Sequence, residues 1–205
     1  MHSLEFGIGG KTCPTGVLNI MKKLIKERIR QSVGVKESLC GQIPNIEKAA
    51  KAIIASLAAS GKVLIFGNGG SAADSQHIAA ELVGRFKKER KPFAAIALTT
   101  NTSALTAVAN DYGYEAVFSR QVEALAKRGD VALGISTSGN SPNVIEAVRK
   151  AKALGLVTIG LSGDGGKLKR ECDISIAVPS KDTPRIQESH IMIGHIICEL
   201  VEDGL

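Results

Sequence analysis

The sequence predicts an α/β protein whose five-stranded parallel sheet is doubly wound, with helices on both faces. Short, continuous aliphatic runs alternate along the chain with segments of helical periodicity. Most of these runs end in a turn of Gly, Ser or Thr, and Gly is frequent whereas Trp is absent. The five predicted strands are Val63 to Phe66, Ala94 to Leu98, Val131 to Ile135, Val157 to Leu161 and Ile174 to Val178.

Two helices are predicted before the first strand. Apolar residues recur at helical spacing from about Leu18 to Ser32 and from about Ile43 to Ala59. Their apolar stripes are wider than one sheet face requires, so we expect part of this surface to be buried against another copy of the chain. Residues 1–17 show no clear periodicity and are predicted to form a flexible leader, which leaves residues 18–205 as a single domain.

Charge and cysteine spacing exclude several classes of protein. The formal charge is +6, and one basic run lies between Lys87 and Lys91. No aromatic residues are interleaved with the basic ones, so solvated faces are favoured over nucleic-acid binding. The four cysteines are far apart, no apolar run is long enough to span a bilayer, and the N-terminus lacks the order of a signal peptide. We therefore expect reduced thiols in a cytoplasmic protein that does not enter membranes.

The first predicted strand runs into a glycine turn, Gly67 to Ser71, and then into an amphipathic helix. Ser71 with Asp74 three residues later predicts a capping box at the start of that helix. Glycines allow a ligand to approach the main chain closely. A dinucleotide is disfavoured, because the second strand ends in Thr99-Thr100 and not in the acidic residue that would hold a ribose.

On the same helix, His77 and Glu81 are four residues apart and therefore project from one face. An imidazole and a carboxylate beside a glycine turn suit acid–base or metal chemistry. By itself, however, this spacing is more often a surface pair than a ligand site.

The loop after the third strand carries four hydroxyls and a glycine between Ser136 and Ser141. Pro142 suits the first position of a helix that Ser141 would cap. Hydroxyls, a permissive glycine and a helix N-terminus together favour a phosphate group over a plain turn. Since no Gly-Lys-Ser/Thr follows, a small phosphate ester is favoured over a nucleotide.

Two further stretches carry polar residues in suggestive places. Asn110-Asp111 is predicted to lie in a turn, where it either binds sugar hydroxyls or is an ordinary turn. The stretch from Pro184 to Glu188 opens a long apolar helix that contains His190 and His195. Taken alone, His195 among isoleucines favours a core histidine over a ligand.

Together, these motifs resemble those of the sugar-isomerase (SIS) family and, within it, of the phosphoheptose isomerases. The resemblance is carried by Gly67-Asn68-Gly69-Gly70-Ser71, His77-x-x-x-Glu81, Asn110-Asp111, Ser136 to Ser141, and Arg185 to Glu188 with His195. It implies the SIS fold, conversion of sedoheptulose 7-phosphate to D-glycero-D-manno-heptose 7-phosphate through an enediol, and a place in bacterial heptose and lipopolysaccharide synthesis. It also implies homotetramers with sites between subunits.

The resemblance further implies a role for each matching residue. The phosphate would be held by Ser136, Thr137, Ser138 and Ser141, and the sugar by Asn68, Gly69, Gly70, Ser71, Glu81, Asn110, Asp111 and Gln187. One zinc ion per subunit would be bound by His77, Glu81, Gln187 and His195, with Glu81 and His195 as the acid–base pair. Eight residues of helix span about 12 Å, so we expect Gln187 at or before the first turn of the helix that carries His195.

One alternative from another class is a non-enzymatic relative of the same fold, the DnaA initiator-associating protein. A binding partner in replication has no evident use for a retained set of His77, Glu81, Gln187 and His195. The sequence therefore favours the enzyme.

Overall fold

The computed structural model describes the chain from residue 15 to residue 205, with side chains from residue 17. The predicted leader, together with Cys13, lies almost entirely outside the described residues, so the leader stays a prediction. The first helix begins at Thr15 and extends to Ser38, six residues beyond its predicted end. Within the described residues, Cys40, Cys172 and Cys198 are free thiols.

The chain alternates between strands and helices after two N-terminal helices. The helices are α1 (Thr15–Ser38), α2 (Ile43–Ala58), α3 (Gly70–Val83), α4 (Thr102–Tyr112), α5 (Ser119–Leu125), α6 (Pro142–Ala153), α7 (Leu168–Glu171) and α8 (Thr183–Gly204). The strands are β1 (Val63–Gly67), β2 (Ala95–Ala97), β3 (Val131–Ser136), β4 (Val157–Gly163) and β5 (Ile174–Val178). Short 3₁₀ turns cover Leu39–Gln42 and Tyr114–Ala116.

All neighbouring strands pair in parallel, in the order β2-β1-β3-β4-β5. The predicted five-stranded parallel sheet is therefore confirmed, although β2 is only three residues long. Alternate strand residues face two separate cores. Val63 and Ile65 pack with α2, α3 and α8, whereas Leu64 and Phe66 pack with α5, α6 and α7. The sheet is thus covered by helices on both faces, as a doubly wound fold requires.

The strand order places the switch point between β1 and β3. From β1 the sheet grows towards β2 on one side and towards β3, β4 and β5 on the other. In open α/β sheets the crevice beyond the carboxyl ends of two such strands is the usual ligand site. The glycine turn after β1 and the serine-rich loop after β3 flank this crevice.

Helix α1 contacts its own chain along one side only. Ser32 Oγ donates to Glu188 Oε2 over 2.7 Å, and Arg185 Nη1 donates to the carbonyl of Arg28 over 2.6 Å. Ile20 and Ile29 are 68% and 60% exposed, and several other apolar side chains of α1 are also exposed. Burial of this face against a second copy stays a prediction. No helix within the described part of the chain is both long and apolar enough to cross a membrane.

Candidate active site

The turn after β1 differs from the predicted capping box. Gly69, with φ of +55°, is the N-cap of α3, and the helix already begins at Gly70. Ser71 therefore lies inside the helix and is buried. A Cβ on Gly67 would lie 2.8 Å from the Cβ of Ser71, so the glycine is needed for this close approach. The prediction that Ser71 caps the helix is wrong, because the two preceding glycines let the helix start earlier.

Asp74, the other half of that predicted box, faces inwards from α3. Its Oδ2 atom is buried and has no hydrogen-bond partner among the described residues. Burial raises the pKa of Asp74 to about 6, because the nearby His77 offsets only part of the rise that burial causes.

Asn68 bridges the crevice at the switch point. Its Nδ2 donates to Asn143 Oδ1 over 2.8 Å, while Asn143 Nδ2 donates back to Asn68 Oδ1 over 2.9 Å. Tyr114 also donates its hydroxyl to Asn68 Oδ1. Neither Asn143 nor Tyr114 is among the site residues that the sequence predicts. An amide on the buried face of α6 is the signal that could have identified Asn143.

The loop after β3 gathers three serine hydroxyls at the N-terminus of α6. Ser136 Oγ lies 2.9 Å from Ser141 Oγ and 3.5 Å from Ser138 Oγ. Ser141 is the N-cap and Pro142 follows it, as predicted, but the Ser141 side chain bonds Ser136 and makes no cap hydrogen bond. Hydroxyl donors beside free helix N–H groups suit a phosphate dianion.

A glycine fixes the shape of this loop. Gly139 has φ of +65°, and a Cβ there would lie 2.5 Å from the carbonyl oxygen of Gly165. Its carbonyl accepts from the N–H of Leu168 over 2.9 Å. The loop is therefore held against the backbone that follows β4, and only glycine fits at this position.

The second group of candidate residues lies where α3 packs beside α8. His77 Nε2 is 3.1 Å from Glu81 Oε1 and 3.0 Å from His195 Nε2. The donor atoms of these three residues all lie within 4.8 Å of one another. His195 is only partly buried, so it is not the core histidine that its sequence context alone favours. An imidazole and a carboxylate at this distance can exchange protons or share a cation.

His190 is the core histidine of α8. It is fully buried, and neither ring nitrogen has a hydrogen-bond partner within the described chain. Burial lowers the pKa of His190 to about 4, so this imidazole stays neutral at physiological pH.

The structure separates other predicted residues from this cluster. Gln187 is the fifth residue of α8, just beyond the first turn, because the helix already begins at Thr183. Its side-chain amide occupies the space beside Gly70. Asn110 and Asp111 are exposed and lie in the last turn of α4, and not in a turn between elements. The helix continues through them because its stop signal, Gly113 with φ of +85°, comes two residues later.

Comparison with known proteins gives consistent matches over almost the whole chain. The SIS domain model matches residues 32–163. A phosphoheptose isomerase of Helicobacter hepaticus is 56% identical over 183 residues, which cover 89% of this chain and 93% of that protein. The structure of phosphoheptose isomerase from Neisseria gonorrhoeae superposes with a TM-score of 0.85 at 44% identity, covering 89% of this chain and 99% of that one. A phosphoheptose isomerase structure from Francisella tularensis gives 0.86 at 38% identity, with 89% and 98% covered.

Proposed function

The chain belongs to the phosphoheptose isomerase family of SIS-domain enzymes, and we propose that it converts sedoheptulose 7-phosphate to D-glycero-D-manno-heptose 7-phosphate. Membership in this family makes it a sugar isomerase acting on sugar phosphates. The observation that supports this substrate and reaction best is the cluster of His77, Glu81 and His195, which brings two imidazoles and a carboxylate together in a fold that also has a hydroxyl-rich loop after β3. Heptose supply for bacterial lipopolysaccharide, in the cytoplasm, is part of the same proposal.

The serine loop would hold the phosphate end of the substrate. The hydroxyls of Ser136, Ser138 and Ser141 lie side by side and can turn their hydrogens towards an anion. Thr137 adds a fourth hydroxyl, and the N-terminus of α6 adds its partial positive charge. Asn68, Gly69, Gly70, Ser71, Asn110 and Asp111 are proposed to contact the sugar.

Proton transfer would take place at the other end of the sugar. Glu81 accepts the proton from C1 of the ketose, and the electron pair of that C–H bond forms the enediol double bond. Glu81 then returns a proton to C2. His195 moves a proton from the oxygen on C1 to the oxygen on C2, which leaves the aldehyde at C1. The imidazole and carboxylate suit these steps because His and Glu side chains commonly act as general acids and bases.

The donor set also fits zinc. Tetrahedral ligands at about 2.0–2.1 Å from zinc lie roughly 3.3 Å apart, and the neighbouring donor atoms of His77, Glu81 and His195 are 3.0–3.1 Å apart. Bound zinc would act as a Lewis acid that polarises the substrate carbonyl. Glu81 would then be shared between the cation and proton transfer.

A second copy of the chain would complete the ligand set. Gln187 and His195 lie on one continuous helix, eight residues and therefore about 12 Å apart along its axis. The two cannot readily bind one ion in a single chain, so we place Gln187 of the partner subunit at the site. A homotetramer with shared sites accords with the exposed apolar face of α1.

A direct assay tests this proposal. Purified protein is incubated with sedoheptulose 7-phosphate, and the aldose product is followed by NMR, before and after treatment with a chelator and after zinc is restored. Product formation is expected in the untreated sample. Loss of activity with chelator and its return with zinc would support the zinc proposal, whereas no product in any sample would contradict the proposed substrate.

A further inference from the structure

A buried ion pair lies beside the C-terminal end of α3, the end that carries Glu81. Arg90 Nε is 3.0 Å from Glu202 Oε1, and their side chains are 11% and 2% exposed. The sequence predicts a solvated face for the basic run from Lys87 to Lys91, which includes Arg90. Lys87 and Lys88 of that run do face solvent, where they pair with Glu199 and Asp203, but Arg90 turns inwards.

The Glu202 carboxylate fixes the loop that follows α3. Its two oxygens accept the backbone N–H groups of Phe86, Lys87 and Lys88 over 2.7–2.9 Å, in addition to Arg90. Burial by itself would raise the pKa of Glu202, but these N–H groups and Arg90 lower it to about 2. The side chain is therefore a carboxylate throughout the physiological range.

Arg90 in turn fixes the C-terminal end of α3. Its Nη2 donates to the carbonyl of Glu81 over 2.9 Å, and its Nη1 donates to the carbonyl of Leu82 over 2.9 Å. Both carbonyls belong to the last turn of α3, where no backbone N–H of the helix is available to donate to them. The guanidinium also stacks on the Phe93 ring at 3.9 Å. The turn that carries Glu81 is thus bonded to the Arg90 guanidinium, which is itself fixed by Glu202 and by the Phe93 ring.

The same loop contacts His195. The Phe86 ring lies 5.6 Å from the His195 ring, and the Phe86 N–H is one of the donors to Glu202. Both members of the proposed acid–base pair are therefore connected to one ion pair, Glu81 through its own carbonyl and His195 through Phe86.

From this geometry we propose that Arg90 and Glu202 are positioning residues, which set the Glu81 carboxylate and the His195 imidazole at their working distance. The proposal rests on the proposed function, since it assigns these two groups to proton transfer. A displacement of about 1 Å in a reacting group can cost about 100-fold in rate. Loss of the ion pair should accordingly lower kcat and leave phosphate binding at the distant serine loop unchanged.

The chain offers a matched control for this experiment. Asp130 is a second buried carboxylate, 2% exposed, which pairs with Lys62 and accepts the backbone N–H groups of Lys62 and Lys127. It precedes β3 at the amino end of the sheet, away from the candidate site. Glu202→Gln and Asp130→Asn therefore remove equivalent charges from two networks, only one of which reaches the cluster.

The test compares kinetics and ring-proton NMR of these two variants with those of the wild-type protein. Glu202→Gln should lower kcat about 10- to 100-fold with KM within about 2-fold, and should shift the His195 ring resonances that Phe86 influences. Asp130→Asn should change neither kcat nor these resonances, even if its melting temperature falls as much as that of Glu202→Gln. Equal kcat losses in both variants, or wild-type kcat in Glu202→Gln, would overturn the proposal.

Two further variants keep the test decisive where Glu202→Gln does not fold. Arg90→Lys keeps the charge but lacks the planar fork whose separate nitrogens bond Glu202 and both helix carbonyls. Phe86→Leu keeps the backbone bonds to Glu202 but removes the ring from His195. Both should lower kcat with KM unchanged, and wild-type kcat in both would contradict the proposal. A wild-type protein without isomerase activity would instead contradict the proposed function.

Discussion

The serine loop and the histidine–glutamate cluster are built in opposite ways. The loop is a continuous stretch from Ser136 to Ser141, and its hydroxyls bond one another within it. The cluster joins α3 to α8, and its two histidines are 118 residues apart in the chain. The proposed recognition of an anion therefore depends on hydroxyls from one short stretch of chain, whereas the proposed chemistry depends on how two helices pack. Variants in the two regions should separate binding from turnover.

The largest effect is expected from Glu81→Gln. The amide keeps the size of the side chain but cannot accept a proton, so kcat should fall about 1,000- to 10,000-fold, within the range that general acid–base groups supply. KM should change little, and circular dichroism should show an intact fold. The control is Glu47→Gln, which removes an exposed carboxylate at the same i,i+4 spacing from a basic partner. Turnover of Glu81→Gln at the wild-type rate would show that another group is the base.

His195→Gln should have the next largest effect, about 100- to 1,000-fold on kcat. The substitution removes proton shuttling between the two substrate oxygens and leaves the Glu81 carboxylate in place. Steady-state kinetics measure the loss. A solvent-exchange experiment sharpens the result, since Glu81 alone should still exchange the C1 proton of the ketose with deuterium from D₂O. If exchange stops while Glu81 is intact, His195 also takes part in the first proton transfer.

Ser138→Ala should act on the other region. Loss of one hydrogen bond to a charged group costs about 1.5–3 kcal/mol, so KM should rise about 10- to 100-fold while kcat stays within about 2-fold. Competition by inorganic phosphate should weaken in parallel. Ser38→Ala is a suitable control, because the Ser38 hydroxyl is exposed and bonds only the nearby Val35 carbonyl. A loss confined to kcat would mean that this hydroxyl does not bind the phosphate.

The smallest effect is expected from Asn143→Ala, which tests whether the loop region also depends on tertiary contacts. The substitution leaves the Asn68 amide without its reciprocal partner. The free energy of unfolding should fall by about 1–3 kcal/mol. KM should rise several-fold because Asn68 is no longer held across the crevice. Urea unfolding and kinetics measure the two effects. An unchanged KM would show that the amide pair serves stability alone.

Local patterns predicted what local forces determine. The β5 bounds, the start of α2 at Ile43 and the Ser141-Pro142 helix start follow from side-chain periodicity and turn chemistry. Two predictions failed because a helix begins earlier than its local signals indicate. Ser71 does not cap α3 because Gly69 and Gly70 let that helix start before it, and Gln187 lies past the first turn because α8 begins at Thr183.

By itself, the sequence determined the five parallel strands and, through resemblance, the family. It also predicts phosphate binding at the Ser136–Ser141 loop. Only the tertiary structure decided that His77, Glu81 and His195 lie together and that Asn143 bonds Asn68. It also decided that Arg90 and Glu202 pair beside the helical turn that carries Glu81. The physical reason is range. Backbone preferences and hydrophobic periodicity act over a few residues, whereas a contact between α3 and α8 exists only after both helices have packed on the sheet.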